Sequence, residues 1–200
     1  ITTGTGAGIV GGSYNTGSAN CSFIGGGCCN TNNSALGFLG GGGCNFLYGA
    51  GSLSNIVGGF QNCITGSASA NLNSIVGGKS NKICGVGTTR SFLGGGDTNT
   101  ISAQYGTLSG GYLNTISGGF NFIGGGRSNS TSAVYAAIVG GISNTASGAQ
   151  SFIGGGYLNV ANNAYTTIVA GIGNCAAGAC SFIGGGNCNN VCNSTSGCLA

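Results

Sequence analysis

The chain has no Pro, His, Met, Trp or Glu, and only five of its 200 residues carry charge: Lys79, Lys82, Arg90, Arg127 and Asp97. Each absence removes a class of chemistry. With one Asp and no Glu, paired-carboxylate catalysis is excluded, and Asp-rich Ca²⁺ coil sites cannot form. A Cys or Ser nucleophile has no imidazole to activate it. No catalytic residue, cofactor or metal site is therefore expected. Four scattered cations build no basic stripe to neutralise a phosphate backbone, so nucleic acid is not expected as a partner. Apolar runs are interrupted by Gly, Asn and Ser well before the ~18 residues a membrane span needs. The chain opens on Ile1, with no charged segment leading into an apolar one, so no signal peptide is expected.

What is abundant is Gly, at 47 residues, together with Asn, Ser, Thr and 11 Cys. This is not the composition of a mixed globular domain. Solubility must rest on Asn, Ser, Thr and exposed backbone, and a surface without like-charge repulsion tolerates self-association. Eleven cysteines favour an oxidising, extracellular setting over a reducing one, and their spacing does not suit zinc. Their odd number leaves at least one thiol without an intrachain disulfide partner.

The organising feature is a motif of one Ile or Leu, a variable residue, two small residues and two variable ones, closed by Asn. It occurs twelve times, closing at Asn15, Asn30, Asn45, Asn62, Asn81, Asn99, Asn114, Asn129, Asn144, Asn159, Asn174 and Asn189. The interval is 15 residues except for 17, 19 and 18 after Asn45. A unit this short cannot hold a helical pair, but it can hold one turn of a β-coil with two short strands and two tight corners. The expected fold is all-β: a rod-like parallel β-solenoid (β-roll or β-helix) of about twelve coils. Gly-Gly before each Asn and a second corner at Ser147-Gly148 or Asn162-Asn163 are expected to supply backbone angles other residues resist. Stacked asparagines are expected to form a buried amide ladder.

Period-two alternation divides the longer strand into two faces. Leu108, Ile123, Ile138, Ile153, Ile168 and Ile183, preceded by small or polar residues, fill the interior. The opposite face alternates Tyr135-Ala137-Val139 and Tyr165-Thr167-Val169 with Gln150-Phe152-Gly154 and Cys180-Phe182-Gly184. Large side chains thus meet small neighbours on adjacent coils. The same face carries Phe23, Phe38, Phe92 and Phe122. Strands apolar on both faces are normally covered on both, and each well-buried Phe contributes roughly 1.5–3 kcal/mol relative to exposure. This face is expected to associate sideways with copies of the chain. A column two residues before each Asn carries Lys79, Asp97 and Arg127 beside Phe60, Tyr112, Ile142, Tyr157 and Ile172, and must reach solvent.

The phrases Ser151-Phe152-Ile153-Gly154-Gly155-Gly156 and Ile138-Val139-Gly140-Gly141, set around Asn144-Thr145-Ala146-Ser147-Gly148, resemble the head-domain repeats of trimeric autotransporter adhesins and the similar repeats of viral and phage fibres. The resemblance spans nearly the whole chain. It implies a left-handed parallel β-roll, three chains packed side by side, and a head that projects from a cell surface to bind host or matrix ligands. The corner Asn, the triple glycines and the many cysteines depart from that family's usual pattern.

Other motifs weigh less. Gly6-Ala7-Gly8-Ile9-Val10-Gly11 matches a dinucleotide-binding pattern, but no helix or ribose-binding acid follows, and it reads as repeat glycine. Gly78-Lys79-Ser80 resembles the end of a P-loop, with Asn73 where the first Gly is required. Cys29 and Cys44 share a column on adjacent coils, as an axial disulfide or as stacked thiols. Sequons begin at Asn20, Asn32, Asn129 and Asn193; Asn129 belongs to the ladder, which leaves Asn20, Asn32 and Asn193 as glycosylation candidates. The longer intervals place loops at about 46–55, 63–74 and 82–91, where recognition or tolerated insertion are both open. The functional expectation is an extracellular fibre or filament component, at a cell or virion surface, forming trimers or filaments with itself and able to bind a cell-surface or matrix ligand. An ice-binding or carbohydrate-binding solenoid is the alternative; adjacent Thr-Thr pairs, expected of an ice-binding face, occur only at 2–3, 88–89 and 166–167.

Overall fold

The computed structural model describes residues 1–49, 53–66, 72–85 and 87–192. Every described element is a β-strand, and the chain is a parallel β-solenoid of twelve coils. It divides into two compact units, Ile1–Tyr105 and Gly106–Ala200, with six coils in each.

Each coil has two short strands, one ending on the aliphatic residue and one following the Asn. In the second unit the first sheet runs through Thr107–Leu108, Phe122–Ile123, Ala137–Ile138, Phe152–Ile153, Thr167–Ile168 and Phe182–Ile183. Its second sheet runs from Thr115–Ile116 through Ser130–Thr131, Thr145–Ala146, Val160–Ala161 and Cys175–Ala176 to Asn190–Val191. Neighbours pair in parallel without slippage: Phe122 lies beside Thr107 and Ala137, and Ile123 beside Leu108 and Ile138. A constant 15-residue period therefore becomes a set of chemical columns, because a slip of one residue would turn every side chain to the other face. Isolated bridges such as Tyr112↔Arg127 and Arg127↔Ile142 form a third, shorter side.

The interior is as narrow as the repeat implied. Ile123, Ile138, Ile153 and Ile168 are fully buried on one wall, facing Ile116, Thr131, Ala146, Ala161 and Ala176 on the other. In the first unit the opposing wall is bulkier, with Leu47, Ile64, Ile83 and Ile101 all buried. The small residue preceding each aliphatic side chain also points inward: Asn121, Ser151 and Thr166 are buried.

The Asn column is buried from Asn15 to Asn174, as expected, and amide meets amide along it, with Nδ2 of Asn144 and of Asn159 each donating to Oδ1 of the Asn one coil earlier at 3.2 Å; most of its bonds, however, go to backbone. Asn144 Nδ2 donates to the Gly140 carbonyl at 3.1 Å and to the Gly156 carbonyl of the next coil at 3.0 Å. Its Oδ1 accepts the backbone N–H of Asn159 at 3.0 Å. The pattern recurs at Asn129 and Asn159. Each side chain thus partners its own coil's glycine carbonyl and the next Asn N–H, and adds a second bond to a next-coil glycine carbonyl that already accepts a backbone N–H, as Gly156 does from Ile142.

The corners differ from expectation in which residues bear the strain. Of the pair Gly155-Gly156 only the second is left-handed: Gly156 has φ +92°, and a Cβ there would collide with the Gly171 carbonyl and crowd the Asn159 amide. Gly155 faces open space. At the other corner Gly148 has ordinary φ; it is Gly because a Cβ would strike the Asn163 backbone. Many left-handed residues bear side chains: Ser143 and Leu158 just before the Asn at φ 56°, and Gln150 and Tyr165 at the second corner at φ 56° and 59°.

The loop boundaries need correction. Phe46–Gly49, Cys63–Gly66 and Lys82–Gly85, placed in the expected loops, are four-residue strands of the second sheet. The first four residues after each Asn keep the coil, and the extra residues come later. Residues 50–52, 67–71 and 86 of the expected loops, and the glycosylation candidate Asn193, lie outside the described residues.

Candidate assembly face

Outward-pointing residues of the first sheet form the apolar face anticipated from alternation. In the second unit its central column reads Thr107, Phe122, Ala137, Phe152, Thr167, Phe182, in register throughout. Two residues on stand Gly124, Val139, Gly154, Val169 and Gly184 in turn. A Cβ at Gly124 would strike the Val139 carbonyl and one at Gly154 the Val169 carbonyl, while the Phe122, Phe152 and Phe182 rings lie in ordinary contact with Gly124, Gly154 and Gly184, at 3.4, 3.6 and 3.5 Å from where a Cβ would stand. Where the column holds Ala137 or Thr167, the position is free for Val139 or Val169. The outcome is a checkerboard of rings and dimples with a two-coil period of roughly 9.6 Å, twice the spacing of neighbouring strands.

The face is open to solvent within the chain. Phe122 is 38% exposed, Val139 51% and Phe182 62%. Tyr135 and Tyr165 border it and are more than half exposed, and Phe120 stacks on Tyr135 with ring centroids 5.0 Å apart. Phe120 went unrecognised because it closes a Ser-Gly-Gly-Phe turn; its place in the corner column with Tyr135 was the available signal. In the first unit the alternation breaks. Phe23 and Phe38 occupy successive coils and stack at 5.6 Å, with planes 5° apart. Asn55 and Ser74 then take the Phe position before Phe92.

The charged column reaches solvent as expected at Lys79 and Arg127, while Asp97 is half-buried. Arg127 lies over the Tyr112 ring at 5.7 Å. Arg90 lies over Tyr105 at 5.5 Å and donates from Nη1 to its hydroxyl at 2.6 Å.

The second sheet's outer face carries a pattern the adjacent Thr-Thr criterion could not find. Residues two apart share a face of a strand, and there Thr115 and Ser117, Ser130 and Ser132, and Thr145 and Ser147 form two hydroxyl columns on successive coils. In the first unit the same face carries Phe46 stacked on Tyr48, followed by Cys63 and Lys82.

Of the glycosylation candidates, Asn20 is exposed, although its Oδ1 accepts the Thr5 N–H at 3.0 Å. Asn32 is buried: its Nδ2 donates to the Phe23 and Gly37 carbonyls at 3.0 and 2.8 Å, which removes it from consideration. Asn32 occupies an inward position that aliphatic residues fill in the next coils, and that column was the overlooked signal.

Cys180 is disulfide-bonded. Cys29 and Cys44 are free and exposed, the stacked-thiol arrangement rather than the axial disulfide. Burial pushes the Cys63 thiol up, opposed by the nearby Lys82 ammonium. No protein-family model and no curated protein matches the chain.

Proposed function

We propose that the chain is a structural fibre or filament component that assembles sideways through the checkerboard face, as trimers or filaments of itself, outside the cell or on a virion surface. The observation that carries this reading is the ring-and-dimple face of the second unit, left open by the single chain while the opposite face of the same strands is fully buried. Burying such rings contributes roughly 1.5–3 kcal/mol each, and a chain with five charges opposes contact with few like-charge pairs. Binding of a cell-surface or matrix ligand belongs to this reading by resemblance to the autotransporter heads. No catalytic step is assigned to a sequence without His or Glu.

The test is the mass of the native particle by light scattering, with its form by electron microscopy. Trimers or filaments are expected for the unaltered chain, and monomers with unchanged β-sheet circular dichroism for Phe122→Asp combined with Phe152→Asp. A monodisperse monomer of the unaltered chain overturns the reading.

The paired hydroxyl columns favour one second reading, an ice-binding face on the second sheet. It predicts a thermal hysteresis that Ser130→Tyr abolishes; freezing-point measurements without any hysteresis dispose of it.

A further inference from the structure

Three thiols meet at one corner of the first unit. Cys28 lies in the isolated-bridge column between Ser13 and Gly43. Cys29 follows with φ 58°, and Cys44 repeats the Cys29 position one coil on with φ 53°. Backbone bonds fix the corner: the Cys29 N–H donates to the Ser13 carbonyl at 3.0 Å, and the Cys44 N–H to the Cys28 carbonyl at 2.9 Å. The Cys28 and Cys29 sulfurs stand 3.3 Å apart, and Cys44 is close enough to help hold the proton on Cys29. All three are exposed. In the next coil Gly43 takes the place of Cys28, and the Phe60 ring covers it; a Cβ on Gly43 would crowd that ring at 3.0 Å.

We propose that this corner is a thiol–disulfide exchange site for small-molecule disulfides of the glutathione type, which close a Cys28–Cys29 disulfide within the chain. The Cys28 thiolate attacks one sulfur of the small disulfide, forming a mixed disulfide and expelling a small thiolate. The Cys29 sulfur then attacks Cys28 Sγ, expelling the second small thiolate, and the Cys29 proton passes to a departing thiolate. Two protein thiols are oxidised and one small disulfide is reduced to two thiols, so atoms and electrons balance. The sulfurs must close from 3.3 Å to about 2.05 Å.

The order of attack follows from the hydrogen bonds. The Ser13 hydroxyl first, and the Cys29 thiol second, hold the Cys28 thiol below its ordinary range. Cys29, bonded to Cys28 and exposed to its charge, is pushed up to about 11. Cys28 therefore supplies the thiolate and Cys29 waits until Cys28 is capped, which removes the charge that held its proton. Cys44, one coil on, adds to the hold on the Cys29 proton and takes no part in bond making.

The experiment treats the full chain with oxidised glutathione at neutral pH, alkylates the residual thiols and locates the label by mass spectrometry. The expected chain is lighter by two hydrogens before alkylation, with label lost from Cys28 and Cys29 together and retained on Cys44. Cys29→Ser should accumulate a stable glutathione adduct on Cys28, and Cys44→Ser should close as the unaltered chain does. The proposal is overturned by a persistent adduct on Cys28 of the unaltered chain, by a bond that includes Cys44, or by reaction at Cys28 no faster than at the exposed Cys21. The measurement on the unaltered chain stands whether or not the variants fold.

Discussion

At the Asn144 corner one side-chain amide meets three backbone groups, two of them in the following coil. Asn144→Ala strands the Asn159 N–H and the Gly140 carbonyl and takes from the Gly156 carbonyl the second of its two bonds, the Ile142 N–H being the other; it should cost about 3 kcal/mol, read as a lower urea midpoint by circular dichroism. Gly156→Ala meets a carbonyl and a left-handed φ together, with an expected loss of about 2 kcal/mol or more. Gly155→Ala, one residue away in open space, should stay within ~0.5 kcal/mol. The contrast between these two glycines was not legible in the sequence, where both repeat almost without exception. Periodicity shows that a position is restricted; only the backbone shows whether torsion or proximity restricts it. The side-chain-bearing left-handed residues were hidden for a related reason, since Tyr, Ser, Leu and Cys at those positions share no chemistry. The chain itself places Gly173 in that column at φ 63°, so Ser143→Gly should stabilise by up to about 1 kcal/mol.

A strand here is two to four residues long, too short to persist alone, so its stability resides in the columns on either side. Ile138→Ala removes a fully buried side chain with no free volume to collapse into, and should cost about 2–5 kcal/mol. Its neighbour Val139 is half exposed on the outer face; Val139→Ala should leave unfolding of the isolated chain within ~0.5 kcal/mol while weakening association. That split between adjacent residues is readable from thermal melts run alongside light scattering. The two faces of this strand were legible because alternation of apolar and small residues maps directly onto the pleat. The second sheet was harder to read, since its inward column changes from Leu47 and Ile64 to Ala146 and Ala161 between the units. Without a constant residue type, the hydroxyl pairs on its outer face had no frame to be measured against. The four-residue strands escaped notice because irregular intervals draw attention to the insertion and away from the paired residues before it.

For the molecule as a whole, the fold followed from twelve corner asparagines, while the exterior was legible only in part. The Phe and Val column was found by asking which face a narrow interior cannot accept. The break at Phe23 and Phe38 and the flanking Phe120 are departures from the repeat, and a method built on recurrence passes over them. The break carries a prediction: among the described residues unbroken one-coil alternation of rings and dimples runs through the second unit, so Phe122→Asp should reduce particle mass in light scattering more than Phe92→Asp does. Equal effects would place the contact elsewhere.

The corner bonds also set the grammar of length variation. Because Asn144 hands its carbonyl oxygen to whichever backbone N–H arrives one coil later, the joint between coils is the same joint along the second unit. Excising residues 145–159 joins Asn144 to Val160, leaves Ala161 where Ala146 had been, and should yield a chain that folds with one coil fewer. Excising 145–158 turns the following strand inside out. A gene encoding such a chain can therefore gain or lose whole coils by recombination between its own repeats, with selection acting on a count of coils rather than on a count of residues.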